Sequence, residues 1–183
     1  MSMKLLSLNV GRPRFVESQG QTVRTAIFKE PVLRRAHVGR TNIEGDRQAD
    51  LSVHGGPDKA VYAYDLSGYE HWRRELSRDL PFGQFGENLT VEGMPETEVR
   101  IDDVYRIGTA LLQVSQPRPP CFKLAMRMEM PTFLKQFLES GRTGFYLRVL
   151  EEGDIGAGDA IDLVSRDPAA VTVAEMTRLI YGE

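Results

Sequence analysis

The sequence of 183 residues has little cysteine and no long apolar run. Its single cysteine, Cys121, excludes an intramolecular disulfide, which agrees with a reducing compartment. The first residues lack the apolar core and cleavage site of a secretory signal peptide. No stretch reaches the ~20 apolar residues that a membrane-spanning helix requires. These features predict a cytoplasmic protein with no membrane partner.

A strong excess of charge of one sign is also missing. The formal net charge is only −3 at pH 7, and the chain has no basic face interleaved with aromatic residues. A nucleic acid polymer is therefore not expected as a partner, although a free base could be a substrate. The charged fraction of 27% and the hydrophobic fraction of 41% are ordinary for a folded protein of one domain.

Short strand-like segments recur along the chain, with a few helical segments between them. Alternation of apolar and polar residues predicts strands at 4–10, 21–30, 38–44, 51–53, 60–64, 89–91, 104–107, 110–115, 144–150 and 160–164. Pro31 is expected to end the second strand or to confine it to a sheet edge. This spacing predicts a mainly β domain with inserted helices (α+β) and a barrel-like sheet over residues 1–165.

Helices are predicted where apolar residues recur every three or four positions. One covers 68–78, with Ser67 as its expected cap. Another covers 131–140, with Pro131 at its first position and Gly141 after its end. Two more are expected at 122–128 and 171–181.

The segment before Cys121 is rich in proline. Three prolines stiffen the backbone between the strand predicted at 110–115 and the helix predicted at 122–128. Amides at a helix end and the cations Arg118 and Lys123 would favour a thiolate, which can be a nucleophile, a redox sensor or a ligand for a soft metal. A buried, inert cysteine explains the same residue equally well, so both interpretations stay open.

Two glycine-containing loops carry further candidates. In the first, Gly55 and Gly56 can take positive φ and turn backbone N–H groups toward an anion, to which Lys59 would add charge. A tight turn without a ligand is the alternative. In the same loop, His54 is either a ligand or proton donor or a structural residue. Asn88 follows the second loop, where it hydrogen-bonds a heterocycle or caps a turn.

Three segments, taken in order, resemble the MOSC family, the domain found at the C-terminus of molybdenum cofactor sulfurases. They are His-Gly-Gly-Pro-Asp-Lys-Ala-Val-Tyr at 54–62, Phe-Gly-Glu-Asn-Leu at 85–89 and Ser-Gln-Pro-Arg-Pro-Pro-Cys-Phe-Lys-Leu at 115–124. The resemblance is strongest to the YiiM-like branch and covers most of the chain. It implies an antiparallel β-barrel whose cleft binds the molybdenum cofactor (Mo-molybdopterin).

The resemblance also implies roles for individual residues. Cys121 would be the protein thiolate on the molybdenum. The cofactor-binding residues would be Gly55, Gly56, Lys59, Asn88, Arg118 and Lys123, with Arg12 or Arg14 as further candidates for its phosphate. Proton delivery would fall to His54, Asp58 or Glu87.

Family relatives of this type reduce N-hydroxylated compounds, including hydroxylaminopurine bases, amidoximes and hydroxamic acids. The resemblance therefore implies a molybdenum-dependent oxidoreductase that detoxifies such compounds with electrons from a partner reductase. The alternatives are a persulfide carrier, a carrier of the cofactor, or a binding domain without activity. Relatives continue into a small C-terminal helical domain, so residues 166–183 are expected to be a linker and the start of a truncated extension. Exposed Leu179 and Ile180 would then favour a homodimer.

Overall fold

The computed structural model describes residues 2–49 and 55–182 of the chain. Its strands are β1 (Met3–Val10), β2 (Arg14–Ser18), β3 (Gln21–Thr25), β4 (Glu30–Val32), β5 (Ala36–Val38), β6 (Val61–Asp65), β7 (Leu89–Glu92), β8 (Val104–Ile107), β9 (Ala110–Pro117), β10 (Phe145–Glu151), β11 (Gly153–Ile155) and β12 (Ala160–Ser165). Its helices are α1 (Leu66–Leu76), α2 (Phe122–Met128), α3 (Phe133–Glu139) and α4 (Val173–Tyr181).

Seven strands form a closed ring in the order β12, β8, β9, β10, β6, β7 and β1, and β1 pairs back to β12. Every neighbouring pair in this ring is antiparallel except β6 and β7, which are parallel. Helix α1 lies between these two strands in the chain and provides the crossover that a parallel pair requires. The predicted barrel-like, mainly β fold with inserted helices is confirmed.

The two faces of β6 divide the core into two parts. Val61 and Ala63 belong to the apolar cluster inside the barrel, whereas Tyr62 and Tyr64 belong to a second, aromatic cluster under the helices. Successive side chains of a strand point to opposite faces, so one strand serves both clusters. In the aromatic cluster the rings of Tyr64 and Phe85 stack with their centroids 4.3 Å apart.

Several boundaries differ from the predictions. The strand predicted at 21–30 is β3 followed by an irregular segment and the short β4, which carries Pro31 and pairs with β1 at the sheet edge, as expected for proline. The strand predicted at 38–44 is reduced to β5, with one isolated bridge from Val38 to Ile43. The strand predicted at 51–53 lies outside the described residues.

Two helix starts were predicted wrongly. The cap of α1 is Asp65 and not Ser67, because the carboxylate at the end of β6 accepts the backbone N–H of Ser67 at 2.9 Å. Helix α3 begins at Phe133 and leaves Pro131 before its first turn. Gly141 follows the end of α3 with φ +68°, as its predicted position requires.

Helix α4 packs against the barrel. Thr172 and Glu175 form a capping box at its start, and Val173 is fully buried in the barrel core. Leu179 and Ile180 are 74% and 53% exposed at its end. The homodimer stays a prediction. No helix in the described part of the chain has the length and apolar character needed to span a membrane.

Candidate functional site

An open cleft lies on the outer wall of the barrel. The segment after β3, the turn before β6 and the start of α2 meet there. Four residues predicted from the sequence as cofactor ligands line the cleft together with Cys121, namely Lys59, Asn88, Arg118 and Lys123.

Cys121 lies where the sequence predicted it, between a strand end and a helix start. Strand β9 ends at Pro117, and Cys121 is the extended residue that immediately precedes α2, with φ −133°. The Leu124 N–H donates to the Cys121 carbonyl at 3.0 Å, which starts the helix. The cysteine is half-buried and lines the cleft. The alternative of a cysteine sealed in apolar surroundings is therefore disfavoured.

Arg118 is the deepest cation of the cleft and is only 4% exposed. Its guanidinium carbon lies 4.9 Å from the ring centroid of Tyr62, a cation–π contact. Its Nη1 is buried and has no hydrogen-bond partner within residues 2–49 and 55–182. Burial works to lower the pKa of Arg118, but Tyr62 and Tyr146 outweigh it and the pKa is raised. The cleft therefore contains a buried positive charge with donor capacity left for a ligand.

The turn before β6 brings Lys59 into the cleft. Gly56 has φ +96°, which favours glycine, and it precedes a short 3₁₀ turn at Pro57–Lys59. Gly55 and Gly56 are not among the cleft-lining residues in the described ranges. His54 lies outside the described residues.

Asp58 is not among the cleft-lining residues in the described ranges, and its predicted catalytic role stays a prediction. Its carboxylate accepts the Nε of Arg148 at 2.9 Å, and its side chain is 65% exposed. In this structure Asp58 ties the 3₁₀ turn to β10.

The cleft wall contains a buried ion pair that the sequence did not predict. Lys29 Nζ lies 2.7 Å from Asp46 Oδ1, and both side chains are at least nine-tenths buried. The same Oδ1 accepts the Gly11 N–H at 2.8 Å. Lys29 lies in the segment predicted as the strand 21–30, and Asp46 lies outside every predicted strand and helix. No local signal joins them, because they lie 17 residues apart on irregular segments that only the tertiary fold brings together.

Asn88 connects this pair to β6. Its Nδ2 donates to Asp46 Oδ2 at 2.9 Å, and its Oδ1 accepts the Tyr62 N–H at 3.0 Å. The side chain is 4% exposed and its amide is engaged on both sides. Asn88 therefore holds the wall of the cleft, and its contact with pterin or substrate stays a prediction.

Three other charged candidates lie outside the described lining of the cleft. Glu87 is fully buried and accepts the Tyr69 hydroxyl at 2.5 Å and the Gly83 N–H at 2.9 Å. Burial raises its pKa, and its hydrogen bonds shape the loop before β7. Arg14 stacks over Phe28 at 3.9 Å, and neither Arg14 nor Arg12 lines the cleft.

The fold and the cleft define the chain as a closed β-barrel domain with a cysteine-bearing, cationic cleft on its wall. By sequence the chain belongs to the MOSC domain family, whose model matches residues 50–162. It is 45% identical to the uncharacterized protein YflK of Bacillus subtilis over 179 residues, covering 98% of this chain and 81% of that one.

Two further comparisons extend this finding. The chain is 36% identical over 180 residues to a protein of Gibberella moniliformis named reductase, covering 96% of this chain but only 32% of the larger protein. The crystal structure of YiiM from Geobacillus stearothermophilus superposes with a TM-score of 0.82 at 37% identity, covering 98% of this chain and 84% of that one. The predicted family and its YiiM-like branch are confirmed.

Proposed function

We propose that this protein binds the molybdenum cofactor in the Cys121 cleft and reduces N-hydroxylated compounds. The observation that carries the proposal is the pairing of two groups in one cleft. A half-buried cysteine lies there together with Arg118, a buried cation whose Nη1 has no partner in the described ranges. MOSC domains are associated with this cofactor, and the relative named reductase supports the class of reaction.

The residues of the cleft fit the cofactor's chemistry. The Cys121 sulfur is the kind of soft ligand that molybdenum in a sulfur-rich environment accepts. Arg118, Lys59 and Lys123 offer positive charge to the phosphate of the pterin side chain. When bound, the cofactor supplies the two-electron chemistry that removes the oxygen of an N–O bond.

The chain's own residues bind the anionic group of the cofactor and orient the substrate. Arg118 holds the anion in a site that is largely closed to water, where a charge-assisted hydrogen bond is stronger than at the surface. Tyr62 and Tyr146 line the cleft with ring centroids 5.6 Å apart, an aromatic wall suited to a flat conjugated substrate. The Lys29–Asp46 pair and Asn88 keep that wall in place.

The proposed reaction consumes two electrons and two protons for each N–OH group, which becomes N–H as water leaves. The electrons come from a separate reductase, which is the protein partner that we propose. Among residues of the cleft wall, Lys29 presents an ammonium group that Asp46 holds in a fixed orientation. Proton delivery by His54 or Asp58 stays a prediction.

The test is an activity assay on protein purified from a molybdenum-replete host. We expect reduction of benzamidoxime and of N-hydroxyadenine with reduced methyl viologen as electron donor, and loss of this activity in Cys121→Ala. Lys135→Ala, which removes an exposed cation outside the cleft, serves as the control and should keep full activity. Cofactor binding without turnover, together with an extra sulfur on Cys121 in mass spectra, would instead favour the persulfide or cofactor carrier.

A further inference from the structure

Glu96 is a buried carboxylate that lies outside the Cys121 cleft. It is 3% exposed and borders a second groove between α3 and α4. Its Oε1 accepts the Gly144 N–H at 2.8 Å, and its backbone carbonyl accepts the Ala174 N–H of α4 at 2.9 Å. The side chain thus holds, through the Gly144 N–H, the short turn at residues 142–144 that leads into β10; we call this turn the corner.

That corner is a common support for two walls of the cleft. The Gly144 carbonyl accepts the Arg118 N–H at 3.2 Å. The Thr143 carbonyl accepts the Tyr62 hydroxyl at 2.7 Å, and the Tyr62 ring lies under the Arg118 guanidinium. The Arg118 backbone and the ring that carries its side chain are therefore both tied to residues 143–144.

The backbone of residues 142–144 is packed closely against β6, so a change in its hydrogen bonds is transmitted to its neighbours. Gly144 has φ +69°, and a Cβ at this position would come within 2.5 Å of the Ala63 carbonyl oxygen. Its N–H is buried against Glu96, so loss of that acceptor would leave a buried donor unsatisfied. A weaker hydrogen bond from Gly144 to Glu96 is expected to shift residues 142–144 and, through them, Arg118.

We propose that Glu96 is a positioning residue for Arg118. The ionised Glu96 carboxylate holds residues 142–144 in the position in which the Arg118 guanidinium, supported by Tyr62, faces an anion. This inference rests on the proposed function, because it takes Arg118 as the anion-binding group of the cleft. An ionised carboxylate accepts a stronger hydrogen bond than a neutral carboxyl group. Anion affinity should therefore rise as Glu96 loses its proton.

The surroundings of Glu96 allow this titration at neutral pH. Burial raises its pKa to about 7; Asp65 also raises it, and Arg142 of the corner lowers it. Further charged residues of α3 and α4 line the same groove as Glu96. These are Lys135, Glu139 and Arg178. A negative charge at Glu96 acting only through space would repel an anion, which is the opposite sign to the positioning effect.

Sulfate is a suitable probe for metal-free protein, because it stays fully ionised between pH 5.5 and 8.5. We expect Arg118→Met to abolish sulfate binding. We expect Glu96→Gln, which keeps an acceptor oxygen but cannot ionise, to match the wild type at pH 5.5 and to bind about five-fold more weakly at pH 8.5. Glu98→Gln makes the same charge change at an exposed position two residues away and should leave the affinity unchanged at both pH values.

A second readout needs no ligand. In the wild type, the backbone amide resonances of Gly144 and Arg118 should titrate together with a midpoint near pH 7, and Glu96→Gln should remove that titration. A flat profile for Gly144, or equal sulfate affinity of wild type and Glu96→Gln at pH 8.5, would overturn the inference. Stronger sulfate binding by Glu96→Gln would do the same. Absence of sulfate binding to the wild type would overturn Arg118 as the anion site, and the proposed function with it.

Discussion

The guanidinium of Arg118 rests on the face of Tyr62, with 4.9 Å between the guanidinium carbon and the ring centroid. This contact stabilises a buried cation while leaving Nη1 without a hydrogen-bond partner in the described part of the chain. A carboxylate partner would neutralise the site, whereas an aromatic face keeps the positive charge available to an anion.

Arg118→Met should separate binding from folding. The substitution removes a buried charge and replaces it with an apolar side chain of comparable length, so the free energy of unfolding should stay within about 1 kcal/mol of the wild type or rise. Cofactor content should fall sharply. Urea denaturation and molybdenum analysis of the same preparation measure both effects. Full molybdenum content in this variant would remove Arg118 from the proposed site.

Asp46→Ala should destabilise the protein strongly, because it leaves the Lys29 ammonium buried without its partner. We expect a loss of about 3–5 kcal/mol in the free energy of unfolding. Glu151→Ala, which removes the exposed 3.0 Å pair with Arg106 by the same kind of truncation, is the control and should cost no more than about 1 kcal/mol. Equal effects in urea denaturation would show that the buried pair is not a distinctive support of the cleft.

Asp65→Ala and Ser67→Ala test which residue caps α1. The Asp65 carboxylate accepts the Ser67 N–H at 2.9 Å and the Met94 N–H at 2.7 Å, so its removal should cost about 2 kcal/mol or more. The Ser67 hydroxyl is buried without a partner among the described residues, so Ser67→Ala should be neutral or stabilising. Thermal unfolding measures which of the two variants is less stable. A larger loss of stability in Ser67→Ala than in Asp65→Ala would refute the cap at Asp65.

Glu96 should make stability depend on pH. Its pKa is about 7 in the folded protein and near 4.5 in the unfolded chain, so the folded state binds more protons between these values. This carboxyl therefore favours folding below pH 4.5, and the contribution is lost as the pH rises to 7. The difference in unfolding free energy between Glu96→Gln and the wild type should grow by on the order of 3 kcal/mol across this window. A constant difference would contradict the raised pKa.

The sequence was sufficient for the fold class and for the setting of Cys121. Alternating strands, turn glycines and the prolines before Cys121 are local signals, and the structure confirms the strand, loop and helix that they predicted. Tertiary contacts could not be predicted from the sequence. The Lys29–Asp46 pair joins two irregular segments that only the tertiary fold brings together. Asp58 pairs with Arg148 on β10, a contact that no sequence spacing indicated.

Arg118 illustrates the same limit. Its position beside Cys121 marked it as a cation of the site, but its burial depends on Tyr62 and Tyr146, which arrive from two other strands. The prediction of the α1 cap was wrong for a local reason. Ser67 and Asp65 are both good capping residues, and the position at which β6 ends makes Asp65 the cap.

The most direct test is the molybdenum content of protein purified from a molybdenum-replete host, measured by elemental mass spectrometry for wild type and Cys121→Ala. The account predicts about one molybdenum per chain in the wild type and almost none in the variant, with unchanged circular dichroism. A wild-type protein that stays free of molybdenum, or a variant that retains it, would contradict the account.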